Sequence, residues 1–240
     1  MRVAALVAAA GLGLRLGPGA PKALRLLAGE SLLVHAVRAV CADPRVVEVV
    51  VAVPQAAVGD VAADLHGVVH VPVRVVAGGV LRQDSVEILL SAVGDDVSHV
   101  LVHDAARPLV PAGTVARVLD ELAAGSDAVI PVRPVTDTIK SVALDRQPNA
   151  STETVAGTVD RASLRAVQTP QGYRCSLLRR AHAQRPEGLE ATDESSLVEL
   201  LGVPVAMVPG DPEAFKVTTP FDLTVAESVL AARSGGVAND

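Results

Sequence analysis

The sequence has 240 residues, half of them hydrophobic and 20% charged, with a formal net charge of −6, one Tyr, two Phe and no Trp. An acidic chain this poor in rings offers neither a basic face to track phosphates nor a platform on which bases could stack, which excludes nucleic-acid binding. No apolar run reaches the roughly 18 to 20 residues of a membrane helix, so no membrane partner is expected, and the length suits one α/β domain with a well-buried core.

In chain order, residues 3–8 read as a buried strand running into a Gly-rich loop at 11–19. Arg2 followed by residues 3–10 also resembles a short signal peptide with an Ala-x-Ala end. Ser31 is placed to cap a helix through Val40, which Asp43 and Pro44 close. Residues 46–53, nearly all Val, form a second strand, 56–66 a helix and 71–76 a third strand before the Gly78-Gly79 turn. Residues 85–93 have helical periodicity, 99–102 make a fourth strand, and 114–123 an amphipathic helix ending at Gly125. Strand alternating with helix predicts a three-layer sandwich around a mostly parallel, Rossmann-like sheet, with its ligand site beyond the carboxyl ends of the strands.

From about 137 to 162 the rhythm changes. Residues 138–142 and 152–159 are β-rich, a polar loop at 145–149 separates them, and no helix intervenes, which predicts an antiparallel arm suited to pairing with a second copy of the chain. Helices near 176–183 and 195–201, a short strand at 205–208 and a helix from 219 to 233 complete a single unit spanning 1–240, with a frayed tail from Ser234. Cys41 and Cys175 stand far apart with no metal-ligand spacing, so free thiols in a reducing, cytoplasmic setting are expected.

Eight stretches carry possible chemistry. The loop Ala9-Ala-Gly-Leu-Gly-Leu-Arg-Leu-Gly-Pro-Gly-Ala-Pro-Lys22 is not a dinucleotide fingerprint, because Leu16 stands at the third glycine, and it lacks the Gly-Lys-Ser/Thr of a P-loop. Its glycines, Gly11 and Gly13 among them, let backbone N–H groups approach a phosphate chain, and Arg15 and Lys22 can neutralise it; an ordinary βα loop with two solvated charges is the alternative. His103-Asp-Ala-Ala-Arg-Pro108 follows the fourth strand, where Asp104 could hold Mg²⁺ and Arg107 could grip a phosphate. His99 and His103, about 13 Å apart along one strand face, are too distant to share a metal and read as packing or orienting residues. Gly78-Gly-x-x-Arg-Gln-Asp-Ser85 places paired glycines where a flat base could lie against backbone, with Ser85 to bond it and to cap the following helix. Later come Thr138 and Lys140, Asp160-Arg161, Thr169-Pro-Gln171, Thr192-Asp-Glu194 and Lys216-Val-Thr218, each of which taken singly also reads as a cap or a solvated charge.

Taken together and in order, these motifs resemble the 2-C-methyl-D-erythritol 4-phosphate cytidylyltransferase family, IspD, from Ala9 to the C-terminal helix. The resemblance makes Ala9 and Ala10 functional residues, which argues against a cleaved signal. It implies transfer of a cytidylyl group from CTP to methylerythritol phosphate, with Mg²⁺, giving CDP-methylerythritol and pyrophosphate for isoprenoid synthesis. Arg15, Lys22, Lys216 and Asp104 would be the catalytic set, with Asp104 also the metal ligand. Ala9, Ala10, Gly11, Gly13, Gly79 and Ser85 would surround the nucleotide. Asp104, Ala106, Arg107, Thr169 and Thr192 would meet the acceptor, helped by Thr138 and Arg161 from the arm of a partner subunit in a homodimer. Departures from the family pattern are Ala8 where Pro is common, Leu14 in place of a second basic residue, Val80 where an acid is frequent, and a slightly long loop between the arm strands. The runner-up acceptor is ribitol 5-phosphate; a non-catalytic nucleotide-binding subunit is the alternative of another class, disfavoured by four separated phosphate-clamp positions.

Overall fold

The first strand is apolar on both sides because it lies inside the sheet. In the structure, a computed structural model that describes residues 1–11, 21–143 and 152–235, Val3, Ala5 and Val7 join one core cluster and Ala4 and Leu6 another. The described strands are β1 (Val3–Ala8), β2 (Leu26–Leu27), β3 (Glu30–Ser31), β4 (Val46–Val53), β5 (Val73–Ala77) and β6 (His99–Asp104), followed by β7 (Ala128–Pro134), β8 (Ile139–Val142), β9 (Val155–Val159), β10 (Arg165–Val167), β11 (Gln171–Arg174) and β12 (Ala206–Pro209). The helices are α1 (Leu32–Val40), α2 (Val58–Asp64), α3 (Arg82–Ser91), α4 (Ala112–Ala123), α5 (Cys175–Ala183), α6 (Glu194–Leu200) and α7 (Pro220–Gly235).

Eight strands form one sheet in the order β10-β7-β11-β6-β1-β4-β5, with β12 also paired to β7. Pairs β1–β4, β1–β6, β4–β5 and β7–β12 are parallel, while β11 runs against β6 and β7, and β10 against β7. Six of the eight therefore share a direction, and the sheet is mostly parallel, as expected. One face carries α1, α2 and α4 over the cluster of Val37, Val51, Val118 and Leu119; the other carries α3, α5 and α6 over Leu6, Val86, Leu89 and Leu178. From β1 the chain moves outward through β4 and β5, then returns to β6 on the other side of β1. That reversal opens a crevice at the carboxyl ends of β1 and β6, where Ala8 pairs with Asp104.

Most local expectations hold within a few residues. Ser31 Oγ accepts from the Val34 amide at 3.2 Å and caps α1. α3 begins three residues earlier than periodicity suggests, so Ser85 is not its cap; the Asp84 carboxylate instead accepts from Leu81 N at 3.2 Å, closing the helix start. Strands β7, β10 and β11 are missed by pattern reading, since Pro131 and Pro134 break β7 as a sequence signal and β11 contains Gly172. The glycine is there because α4 lies against the strand: a Cβ would stand 2.6 Å from Val118 and 2.7 Å from Leu122. Among the described residues, β8 and β9 form their own two-stranded antiparallel sheet, not paired with the main one. The polar loop at 145–149 and the end of the tail, 236–240, lie outside the described residues, as does most of the Gly-rich loop.

Candidate active site

The crevice beyond β1 and β6 is a cleft of about 240 Å³. Its backbone floor is held by the sheet continuing one residue past β1: Ala9 N donates to Ala52 O at 2.8 Å, and Ala105 N donates to Ala8 O at 3.2 Å. Ala9, Ala10 and Gly11 line one side, with Gly79 and Ser85 opposite. Both glycines of the pair are required by space. A Cβ on Gly78 would stand 2.4 Å from Ala10 Cβ and 2.9 Å from Ser85 Oγ, and one on Gly79 would stand 2.4 Å from Asp84 Cβ. Ser85 Oγ accepts from Gly79 N at 3.1 Å and donates to Leu81 O at 3.2 Å, so this hydroxyl shapes the turn from inside. Val80, beside it, is 98% exposed.

The other end of the cleft is charged. Asp104, the last residue of β6, accepts from Arg82 Nε at 3.0 Å on one oxygen and from Lys216 Nζ at 2.7 Å on the other. Arg82 Nη1 in turn donates to both oxygens of Glu194, each at 2.8 Å. Burial alone would raise the Asp104 carboxyl; Arg82 and Lys216 overcome it and hold the group well below the usual carboxylate range. Glu194 is buried more completely, and there burial outweighs Arg82, lifting its carboxyl above the ordinary value. Behind Asp104, His103 is wholly buried, with Nδ1 bonded to Thr169 Oγ1 at 2.9 Å and Nε2 to Arg107 O at 3.1 Å. Burial pushes this imidazole down to about 4, so it orients neighbours as a neutral ring. Thr169 Oγ1 also accepts from Asp104 N at 3.2 Å. Among the lining residues described, Lys22, Arg82 and Lys216 are the cations and Asp104 is the carboxylate.

A glycine-shaped backbone pocket next to a small, mostly cationic cluster is the arrangement expected of a nucleotide triphosphate site. The family model for 2-C-methyl-D-erythritol 4-phosphate cytidylyltransferase matches residues 3–232. The chain belongs to that family. A cytidylyltransferase of this name from Streptomyces coelicolor is 50% identical over 238 residues, covering 97% of this chain and 86% of its own length. One from Rhodococcus jostii is 49% identical over 228 residues, or 95% of each chain. The crystal structure of the Thermus thermophilus cytidylyltransferase is 40% identical, covers 96% of this chain and all of its own, and superposes with a TM-score of 0.74. A synthase structure from Anaerococcus prevotii reaches a TM-score of 0.81 at 24% identity, a likeness of fold.

Within this cytidylyltransferase fold the implied site residues divide into groups. Ala9, Ala10, Gly11, Lys22, Gly79, Ser85, Asp104, Ala106 and Lys216 line one cleft. Arg15 and Gly13 lie outside the described residues. Thr169 is buried one layer behind Asp104. Arg107 does not line the cleft: its guanidinium turns beneath the loop and donates to Ala214 O at 2.7 Å and Val167 O at 3.2 Å, while Nε is buried without a partner. Val217 N bonds Ala106 O at 2.8 Å, so Arg107 helps tie the segment carrying Lys216 to the end of β6. Thr192 is exposed just before Asp193, which caps α6 by accepting from Ser196 N. Thr138 and Arg161 are exposed beside the β8–β9 sheet, with Arg161 Nη1 donating to Thr136 O. Of the cations implied by the resemblance, Lys22 and Lys216 line the cleft, and Arg82 joins them there.

Motif reading gave no role to Arg82, which lines the cleft, or to Glu194, which is buried behind it, although both stand inside motifs. Mg²⁺ needs only one or two protein carboxylates when phosphates supply other oxygens, and Asp104 is the described lining carboxylate that could be shared with it, its two oxygens being held here by Arg82 and Lys216.

Proposed function

We propose that this protein transfers a cytidylyl group from CTP to 2-C-methyl-D-erythritol 4-phosphate, releasing pyrophosphate, and that the cleft beyond β1 and β6 is where it does so. The observation that carries this reading is the meeting of Arg82, Lys216 and Asp104 in a pocket that Lys22 also lines and whose other lining includes the backbone of Ala9, Ala10, Gly11 and Gly79. The acceptor's phosphate oxygen attacks the α-phosphorus of CTP, a new P–O bond forms, and the bond to the β-phosphate breaks in line. A phosphomonoester is already ionised, so no general base is needed. What must be supplied is position and positive charge, because two anions approach and negative charge grows on the departing pyrophosphate. Lys22 serves the leaving group together with Arg15 from the loop, and Lys216 serves the α-phosphate. Asp104 orients Lys216 and is the residue that would hold Mg²⁺, which when bound neutralises phosphate oxygens.

Cytosine lies against the backbone of Ala9, Ala10 and Gly79, whose N–H and C=O groups read its edge. Aromatic stacking plays no part in this reading: the only Tyr, Tyr173, is fully buried with its hydroxyl on Gln171. The acceptor sits near Ala106, Thr169 and Thr192. Thr138 and Arg161 act from the arm of a second copy in a homodimer, where a guanidinium suits a phosphate better than an ammonium would. No helix among the described residues is long and apolar enough to cross a membrane, and a cytoplasmic enzyme fits two buried free thiols. The test is a pyrophosphate-release assay crossing CTP, UTP and ATP with methylerythritol phosphate and ribitol 5-phosphate. Turnover is expected with CTP and methylerythritol phosphate; faster turnover with ribitol 5-phosphate would move the assignment to the runner-up, and turnover with neither acceptor would end it.

A further inference from the structure

The ion pair between Arg82 and Glu194 is left over by the reaction as derived above. Glu194 opens α6 with a side chain only 1% exposed, and Arg82 opens α3 at 27% exposed, on the wall of the cleft. A buried carboxylate is costly to desolvate, and a link between two helices could be made of apolar side chains at lower cost. That link already exists: Gln83, next in sequence, donates to Leu189 O at 3.0 Å and accepts from Ala191 N at 2.6 Å, fastening the α5–α6 connection to α3. The guanidinium instead spans from Glu194 to Asp104, whose second oxygen is held by Lys216.

We propose that Arg82 and Glu194 are a positioning pair for the cytidylyl transfer: Glu194 fixes the Arg82 guanidinium, and Arg82 fixes Asp104 so that its other oxygen faces Lys216. The role rests on the functional reading given above. Its physical sense lies in charge. Lys216 is the cation expected to follow the α-phosphate, and when it does, Arg82 still neutralises Asp104, which would otherwise repel the incoming phosphates at short range. Both groups act through Asp104 and touch no reacting atom.

The experiment compares wild type, Arg82→Met, Arg82→Lys and the double variant Arg82→Met/Glu194→Leu in steady-state turnover of CTP and methylerythritol phosphate, beside thermal melts. Arg82→Met is expected to lose about 10- to 100-fold in kcat, the scale on which outer-layer partners of a site act, with the KM for CTP within threefold because Gly79 and Ser85 are untouched. Arg82→Lys keeps the charge but not the fork that spans two carboxylates, and should recover part of the loss. The double variant leaves no unpaired carboxylate at 194; it should melt near wild type and remain as slow as Arg82→Met. A folded double variant with kcat within twofold of wild type would overturn the proposal, as would a loss confined to the KM for CTP. Failure of wild type itself to release pyrophosphate would overturn the functional reading and this role with it, whereas active wild type with fast variants would remove the role alone.

Discussion

The cleft and the arm are built in opposite ways. Around the cleft, each charged group described leans on another: Glu194 on Arg82, Arg82 on Asp104, Asp104 on Lys216 and on the Thr169 hydroxyl, with His103 fully enclosed behind. On the arm, among the described residues, β8 and β9 pair only with each other, most of their residues are exposed, and the polar contacts described are local: Lys140 Nζ to Thr158 Oγ1 at 2.6 Å, Asp160 to Ala162 N at 3.0 Å, and Arg161 to a nearby carbonyl. Val142 and Val155 are 43% and 63% exposed there. Burial makes the cleft rigid and electrostatically strong, since a charge in a low-dielectric setting is worth more and reorganises less. Exposure makes the arm cheap to alter for the fold. Its residues can matter to chemistry only by meeting something outside their own hairpin.

The largest expected effect tests the cleft. Lys22→Ala should lower kcat by about 10² to 10³, the scale of losing one preorganised charge-stabilising donor, with the thermal midpoint little changed; near wild-type turnover would remove the residue from the catalytic set. Next comes acid sensitivity. His103 and His182 take a proton near 6.5 when unfolded and only near 4 when buried, so between those values the unfolded state binds more protons. Stability is therefore full above about pH 6.5 and falls as the pH drops toward 4, by about 3 kcal/mol for His103 alone. Urea unfolding across that window in His103→Gln should give a shallower decline than wild type, and an equal slope would assign the effect elsewhere. Third, Gly78→Ala drives a methyl into Ala10 and Ser85 and should cost about 1 to 3 kcal/mol, as overpacking does, with a raised KM for CTP; unaltered CTP affinity would mean that the two walls can part freely. The smallest effect on the fold belongs to the arm. Arg161→Ala should change stability by less than about 0.5 kcal/mol, yet raise the KM for the acceptor while sparing that for CTP. Mixed with Asp104→Ala, it should regain activity through hybrid dimers, and exchange of subunits without recovery would rule out a site shared between copies.

How much of this could be read in advance follows the same division. Val-rich β1 and β4 were legible because a strand buried on both faces has to be apolar at every position. The cleft glycines were legible for a related reason, since backbone that must approach a partner closely excludes a side chain. Strands β7, β10 and β11 were not, because Pro131 and Gly172 break the local pattern and are accepted only where a neighbouring helix or strand makes room. Arg107 reads as a phosphate ligand by type and place; in the structure its guanidinium donates to the carbonyls of Ala214 and Val167, and a sequence contains no sign of carbonyls that come from far along the chain.

By itself the sequence determined the alternation of strands and helices, the Gly-rich turns that must leave space, the acidic and ring-poor composition, and the family. Each of these depends on residues close together in the chain. Only the tertiary structure decided which charges meet. Arg82 and Glu194 are 112 residues apart, as are Lys216 and Asp104, and their contact follows from β6 ending beside β1 where the strand order reverses. Burial at that point turns four ordinary surface residue types into one coupled cluster, because there water screens them less from one another than it does at the surface.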